Sequence, residues 1–367
     1  MNNITLVLIV LLVPMFIFFI FVPYLTRKTE SFGVSIPETV YYTPELKKMR
    51  KQYAYAISFL SAFATGIFLI TDMITDLEES AVGILLAIVI SVFILLSFLS
   101  YYVFHIKMKQ LKKLSNWKQE KSQKVYIHTQ FHQSKLRYSN AWFLFSIIIA
   151  IATIIASMMS YAKFPEQIPM QYNFQGEVTN WAEKSHRTVL AMPIIQLYLT
   201  LIFVFVNTII GKAKQQINAE NPNESMQQNI LFRRRWSAFT IIGGILLTIL
   251  FSIVQFSFMY PIPQALMIRA AILISIGLTI GAIILSITTG QGGSRIKASS
   301  KGQVEVIDKD DDRYWKLGQF YVNKNDPTIF LEKRFGIGWT MNWGRPLSWV
   351  IVILFVLITI GIVWLAI

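Results

Sequence analysis

The sequence predicts an all-α polytopic membrane protein: eight transmembrane helices, both termini outside the cell, and a small cytoplasmic β-hairpin-like module before the last helix. Three observations carry this. Of 367 residues, 54% are hydrophobic and 15% charged. Eight apolar runs have about the 20-residue length that a helix needs to cross ~30 Å of hydrocarbon. Finally, Lys and Arg cluster in alternate connecting segments.

The runs cover 4–25, 53–72, 81–104, 141–162, 188–210, 237–259, 267–289 and 347–367. Without water to bond the backbone, each must close its own hydrogen bonds as a helix. The first run lacks a basic leader and a small-residue cleavage site, and Arg27 and Lys28 follow it. It therefore reads as a retained helix with its N-terminus outside. Segments 26–52, 105–140, 211–236 and 290–346 carry 6, 9, 5 and 10 Lys/Arg, 30 of the 34 in the chain. The rest are Lys163, Lys184, Arg187 and Arg269. The positive-inside bias makes the four basic segments cytoplasmic.

The expected organisation follows. Residues 1–289 form a seven-helix membrane region with cytoplasmic loops 26–52, 105–140 and 211–236 and one substantial extracellular loop, 163–187. Residues 290–346 form a cytoplasmic module, and 347–367 the last helix. The net charge of +14 is then a matter of topology and of contact with anionic headgroups of the bilayer. No basic folded soluble face points to a nucleic-acid partner.

Composition also narrows the chemistry. The chain has no cysteine, which excludes disulfides and thiol catalysis. No span carries an ionisable residue near its middle, which argues against ion-coupled transport. Arg269, near the end of its span, can snorkel. Gln196, Asn207 and Gln255 read as interhelical hydrogen-bonding groups, and 277–281 (GLTIG) as a weak small-residue packing motif. His128 and His132 have a zinc-compatible spacing but no nearby carboxylate, so a solvated helix face is the expectation. The glycine-rich 290–294 (GQGGS) lacks the lysine of a phosphate loop and reads as a flexible exit from the seventh span. No catalytic constellation, metal site or cofactor is expected.

Two segments read as built structure. In 163–188, KFPEQIPMQYNFQGEVTNWAEKSHRT, Pro165 and Pro169 favour extended backbone around Glu166. The stretch 173–176 has turn chemistry, with Asn173 opening it and Gly176 free to take a positive φ. Phe174 and Trp181 suit a headgroup interface. This loop either caps the helices or recognises something outside, with Lys184 among its polar groups. In 309–346, QFYV and TIFLEK read as strands joined by NKNDP, followed by an FGIG turn and WTMNW. Trp315, Tyr321, Phe330, Phe335 and Trp339 form its expected core. Asn323, Asp326, Arg334, Gly336 and Gly338 join Trp315, Tyr321 and Trp339 as candidate partner-binding residues. A structural plug and a partner site both remain open.

The extracellular segment resembles the bacterial membrane proteins grouped as domain of unknown function 1648. Matching positions are Pro165, Glu166, Ile168, Pro169, Tyr172, Asn173, Gly176, Asn180, Trp181 and Lys184. Gln171 stands where many members have histidine, which puts proton- or metal-dependent chemistry at that position in doubt. Segments 32–53, 290–295 and the D-R-Y-W…F-G-I-G-W module resemble those of larger members. The resemblance implies a Gram-positive (Firmicute) plasma-membrane protein related to the immunity protein against a sporulation-delaying cannibalism toxin, which also sequesters a repressor. The expected function is non-enzymatic: immunity or envelope sensing, with a secreted peptide as partner outside and a regulatory protein inside. The alternative is a transporter or export accessory for small amphipathic molecules that works with a partner ATPase.

Overall fold

The computed structural model describes residues 3–75, 79–115, 117, 135–172, 177–217, 222–297 and 312–366. Eight α-helices occupy the eight apolar runs: α1 (Asn3–Leu25), α2 (Pro44–Thr75), α3 (Glu79–Leu114), α4 (Phe143–Met159), α5 (His186–Lys212), α6 (Pro222–Ser257), α7 (Gln264–Thr289) and α8 (Pro346–Ala366). Among the described residues, seven, α2 to α8, are long and apolar enough to cross a membrane. In α1 the described apolar stretch is the shorter Leu12–Leu25.

Several helices outrun their apolar cores into the predicted loops. α2 starts at Pro44 and α6 at Pro222, each with proline in the first turn and a glutamate just behind it (Glu45, Glu224). Proline is pre-set for that position, and an acidic residue there favours the helix dipole. α3 runs on to Leu114 with Lys112 and Lys113 in its last turn, where cations are favoured.

The chain divides into two compact units. One comprises Met1–Ser134, Lys214–Phe232 and Ile283–Arg345; the other comprises Lys135–Ala213, Arg233–Ala282 and Pro346–Ile367.

In the first unit α1 packs on α2 and α2 on α3. Its core includes Leu12, Phe16, Ile57, Phe68 and Phe93, with the Phe16 and Phe93 rings edge to face at 4.8 Å. A minimal hairpin, β1 (Glu30–Ser31) and β2 (Val34–Ser35), turns through Phe32 and Gly33 at φ 46° and 75°. Two positive φ values match a right-twisted two-residue turn, but phenylalanine is an unusual occupant. Its ring explains the choice: it lies 5.6 Å from Tyr53, 5.3 Å from Phe104 and 5.9 Å from Phe335. The Phe32 carbonyl accepts from Tyr101 and sits 2.8 Å from His105 Nδ1.

In the C-terminal module of this unit the strands form two hairpins, where one hairpin or a three-stranded element was expected. β5 (Trp315–Lys316) pairs with β6 (Phe320–Tyr321), and β7 (Phe330–Glu332) pairs with β8 (Trp339–Met341). QFYV and TIFLEK therefore belong to different hairpins. The reason is local: Leu317 and Gly318 take positive φ and close β5–β6 tightly, while NKNDP is held by side-chain bonds and not by a ladder.

In the second unit α4 packs on α5 and α5 on α8. Ser146, Ala150, Thr153 and Ser157 form a buried small-residue stripe on α4, which permits close helix approach. The expected polar groups make the interhelical bonds. Gln196 Nε2 donates to the Thr248 carbonyl (2.9 Å) and Ser252 Oγ (2.8 Å). Gln255 Nε2 donates to Ser157 Oγ and the Val189 carbonyl, both at 2.9 Å. Asn207 Nδ2 donates to the Tyr138 carbonyl at 3.1 Å and to Asn140 Oδ1 at 2.8 Å, and its Oδ1 accepts from Ser237 at 2.6 Å. On α7, Gly281 meets the Phe239 ring and Gly277 meets no neighbour, so the glycine pair does not seat a helix among the described residues.

Candidate functional site

The segment 163–187 folds as an antiparallel hairpin, β3 (Gln167–Tyr172) with β4 (Val178–Glu183), and is ordered from its base upward. Ile168 is 1% exposed and packs with Phe164 and Val189, flanked by Tyr161, Met170, Phe258 and Met259. The Lys184 amide donates to the Glu166 carbonyl at 2.9 Å. Lys184 Nζ lies 3.2 Å from Glu166 Oε1 and 5.2 Å from the Tyr161 ring centre. Ser185 caps α5 by accepting from the Thr188 amide.

Pro169 sits inside β3 opposite Trp181, and the register slips between Pro169 and Gln171. Proline has no N–H for the ladder, so a bulge there is the expected accommodation. Pro165 precedes the strand and is exposed. Above the clamped base the aromatics turn outward: Trp181 is 52% and Tyr172 42% exposed. Asn173, Phe174 and Gly176 lie outside the described residues, as do His128 and His132.

The candidates of the C-terminal module are mostly engaged within it. Trp315 and Tyr321 are buried with Leu331, and Arg334 lies over the Trp315 ring at 5.0 Å. Tyr321 Oη donates to Asp326 Oδ2 at 2.9 Å, and Lys214 Nζ lies 2.7 Å from the same oxygen. Burial alone would raise the Asp326 carboxyl, but hydrogen bonds from Lys214, Thr328 and Tyr321 outweigh it and hold the group at about 2. Asn323 Nδ2 donates to Tyr321 Oη at 3.2 Å. The Trp339 ring packs tilted against Phe232 at 5.4 Å, while Phe335 sits among Phe32, Tyr53 and Tyr101 of the helical core. Gly336 and Gly338 shape the β7–β8 turn at φ 88° and 110°.

Four further features escaped the motif reading. Asn342 is fully buried; its Nδ2 donates to the carbonyls of Asn323, Asp326 and Thr328, and its Oδ1 accepts from the amides of Asn323 and Gly344. One side chain thus replaces a strand ladder across NKNDP. Next, a buried ion-pair network joins Arg27 with Glu30 and Glu332, and Arg334 with Glu30 and Asp312, and Lys112 lies 2.7 Å from Asp312. Three cations meet three carboxylates, the pairing that buried charge requires. Asp312 is pushed up by burial but drawn below the usual carboxylate range by Arg334 and Lys112. The only sequence trace of this network was charge next to a span and in DDDRYW. Third, GQGGS is a buried turn and not a flexible exit: Gln291 Nε2 donates to the Lys333 and Gly338 carbonyls, and its Oε1 accepts from the Gly338 amide. Finally, a cation-lined cavity opens where Tyr24, Tyr41 and Arg295 meet.

Helices of this length and composition define a multi-pass membrane protein. Residues 148–197, which contain the hairpin, match a domain of unknown function (DUF1648), and residues 324–349, which contain β7 and β8, match a family of unknown function (DUF5808). The chain matches no curated protein and no solved structure.

Proposed function

We propose that this chain crosses the bacterial plasma membrane eight times, with both termini outside, and acts without enzymatic chemistry as an immunity or envelope-sensing protein. The β3–β4 hairpin is its recognition surface for a secreted antimicrobial peptide. The observation that carries this reading is the division of labour within the hairpin. Ile168, Phe164 and the Glu166–Lys184 clamp fix its base, while Trp181 and Tyr172 are left open. Exposed aromatics on a pre-ordered support bind with little entropy to lose. Pro165, Glu166, Pro169 and Lys184 position that surface. A cytoplasmic regulatory protein would meet the C-terminal module at exposed Leu317 and Phe320, since Trp315, Tyr321 and Arg334 are buried.

The test is survival of cells with and without the protein under a panel of secreted antimicrobial peptides. Membrane levels would be checked by immunoblot. Selective protection lost on Trp181→Ala at unchanged protein level supports the reading. Protection that survives Trp181→Ala and Tyr172→Ala together removes the hairpin from recognition, and no protection against any peptide removes the immunity role.

A further inference from the structure

A cavity of about 460 Å³ opens in the first unit between the end of α1, the start of α2 and the turn after α7, a volume typical of small-ligand sites. Five cations line it: Lys28, Lys47, Arg50, Lys51 and Arg295. None of the lining residues is acidic, and among the described residues only Lys28 of the five has a carboxylate beside it, Glu38 at 3.5 Å, which lies outside the lining. Like charges gathered around one concavity repel one another, and a bound anion relieves that cost.

Arg50 is the second observation. It is 3% exposed. Its Nη2 donates to the Tyr41 carbonyl at 2.7 Å, and its guanidinium lies 4.1 Å from the Tyr41 ring centre. The group is thus locked in place, yet Nη1 is buried and has no hydrogen-bond acceptor among the described residues. A buried, oriented guanidinium with an unused donor is suited to an anionic oxygen such as that of a phosphate. Arg295 is likewise tethered: Nη1 donates to the Ile287 carbonyl at 3.0 Å and Nη2 to the Tyr24 carbonyl at 2.9 Å. Lys47 and Lys51 are exposed at the rim.

We propose that this cavity binds a phosphate-bearing anion. α1 adds a feature that suits a lipid headgroup. Val13, Ile17 and Phe21 are exposed at a spacing that puts them on one helix face with Tyr24, so an apolar ridge leads to the cavity wall. This site does not depend on the role of the hairpin.

The experiment uses the full-length protein in a non-ionic detergent and follows thermal unfolding with added phosphatidylglycerol, phosphatidylcholine or inorganic phosphate. Arg50→Gln removes the buried donor. Because it also disturbs Tyr41, the deciding variant is the rim pair Lys47→Gln/Lys51→Gln. Stabilisation by phosphatidylglycerol but not phosphatidylcholine, with an affinity about tenfold weaker in the rim variant, supports the site. If millimolar inorganic phosphate stabilises the protein and displaces phosphatidylglycerol, the source is a free phosphoryl compound. If it does neither, the source is the lipid headgroup. Equal response to both lipids without any response to phosphate, or unchanged phosphatidylglycerol affinity in the rim variant, overturns the proposal.

Discussion

Gln291 and Gly338 exchange two hydrogen bonds, Nε2 to the glycine carbonyl at 2.9 Å and the glycine amide to Oε1 at 2.8 Å. The glutamine side chain thereby acts as a one-residue strand against the β7–β8 turn. A third bond, to the Lys333 carbonyl at 3.2 Å, leaves none of its amide hydrogen-bonding groups idle.

Replacing Gln291 with leucine keeps the volume but strands the Gly338 amide and the Lys333 carbonyl, while the Gly338 carbonyl keeps its bond from the Lys333 amide. The loss should be about 2–4 kcal/mol, since each buried polar group left unpaired costs on the order of 1–3 kcal/mol. Thermal unfolding of the purified variant in detergent measures it. A melting temperature equal to that of the parent would mean that the turn is held by something else.

The adjacent glycine supplies a sharper contrast. Gly293 sits at φ 84°, and a Cβ there would run into the Gln228 carbonyl. Gly293→Ala should therefore cost about 1–3 kcal/mol from backbone strain, with the clash against Gln228 added to it. Gly277→Ala, with nothing within reach of the new methyl, should stay within about 0.5 kcal/mol of the parent. Side-by-side melting curves decide this, and equal effects would refute the close approach at Gly293.

Asp326 makes stability depend on acid. Its carboxyl is held at about 2 by its hydrogen bonds, below the ordinary value of 3.8. A depressed carboxylate stabilises the fold fully above the unfolded-state value and loses that contribution as pH falls through the folded one. The window is therefore from pH 4 down to 2, and the parent should exceed Asp326→Asn in melting temperature by a constant margin above pH 4. The margin should shrink on acidification below pH 4. A margin that grows in acid would mean that the carboxyl is raised instead.

The contrast between spans and modules shows what hydropathy can and cannot reveal. Each apolar run stands out because lipid imposes a length and a composition on it, and Gln196, Asn207 and Gln255 stood out as polar residues in apolar surroundings. The ends of α2, α3 and α6 were less legible, because amphipathic helix outside the bilayer has no such length rule. Pro44 and Pro222 were the available signals. The strand pairing of the C-terminal module was hidden for a different reason. Its ladders are two or three residues long, and they are joined by a single backbone bridge between Tyr321 and Asn342 and by the Asn342 side chain, whose five backbone bonds have no sequence period. The hairpin's base was legible from its prolines, and strand alternation sends Ile168 inward and Trp181, opposite Pro169, outward; the register shifts above them, between Pro169 and Gln171 and between Gln171 and Tyr172, carry no such signal.

That inward and outward division yields the last prediction, and it separates support from surface within one hairpin. Ile168 is enclosed by Phe164 and Val189, so Ile168→Ala removes packed methylenes and leaves a cavity, at a cost of about 2–4 kcal/mol. Trp181→Ala removes a larger side chain, yet half of it faces outward, so the change should stay within about 1 kcal/mol. Glu166→Gln breaks an ion pair in which the glutamate side chain is 90% exposed and the lysine 10%. Water competes at the open end, and the Lys184 amide bond to the Glu166 backbone survives the substitution, so its effect should be the smallest of the three. Melting temperatures of the three variants, measured in one detergent at one salt concentration, give the order. If Trp181→Ala proves as damaging as Ile168→Ala, the indole is part of the hairpin's support and not its recognition face. The loss of any peptide protection in that variant would then report on folding.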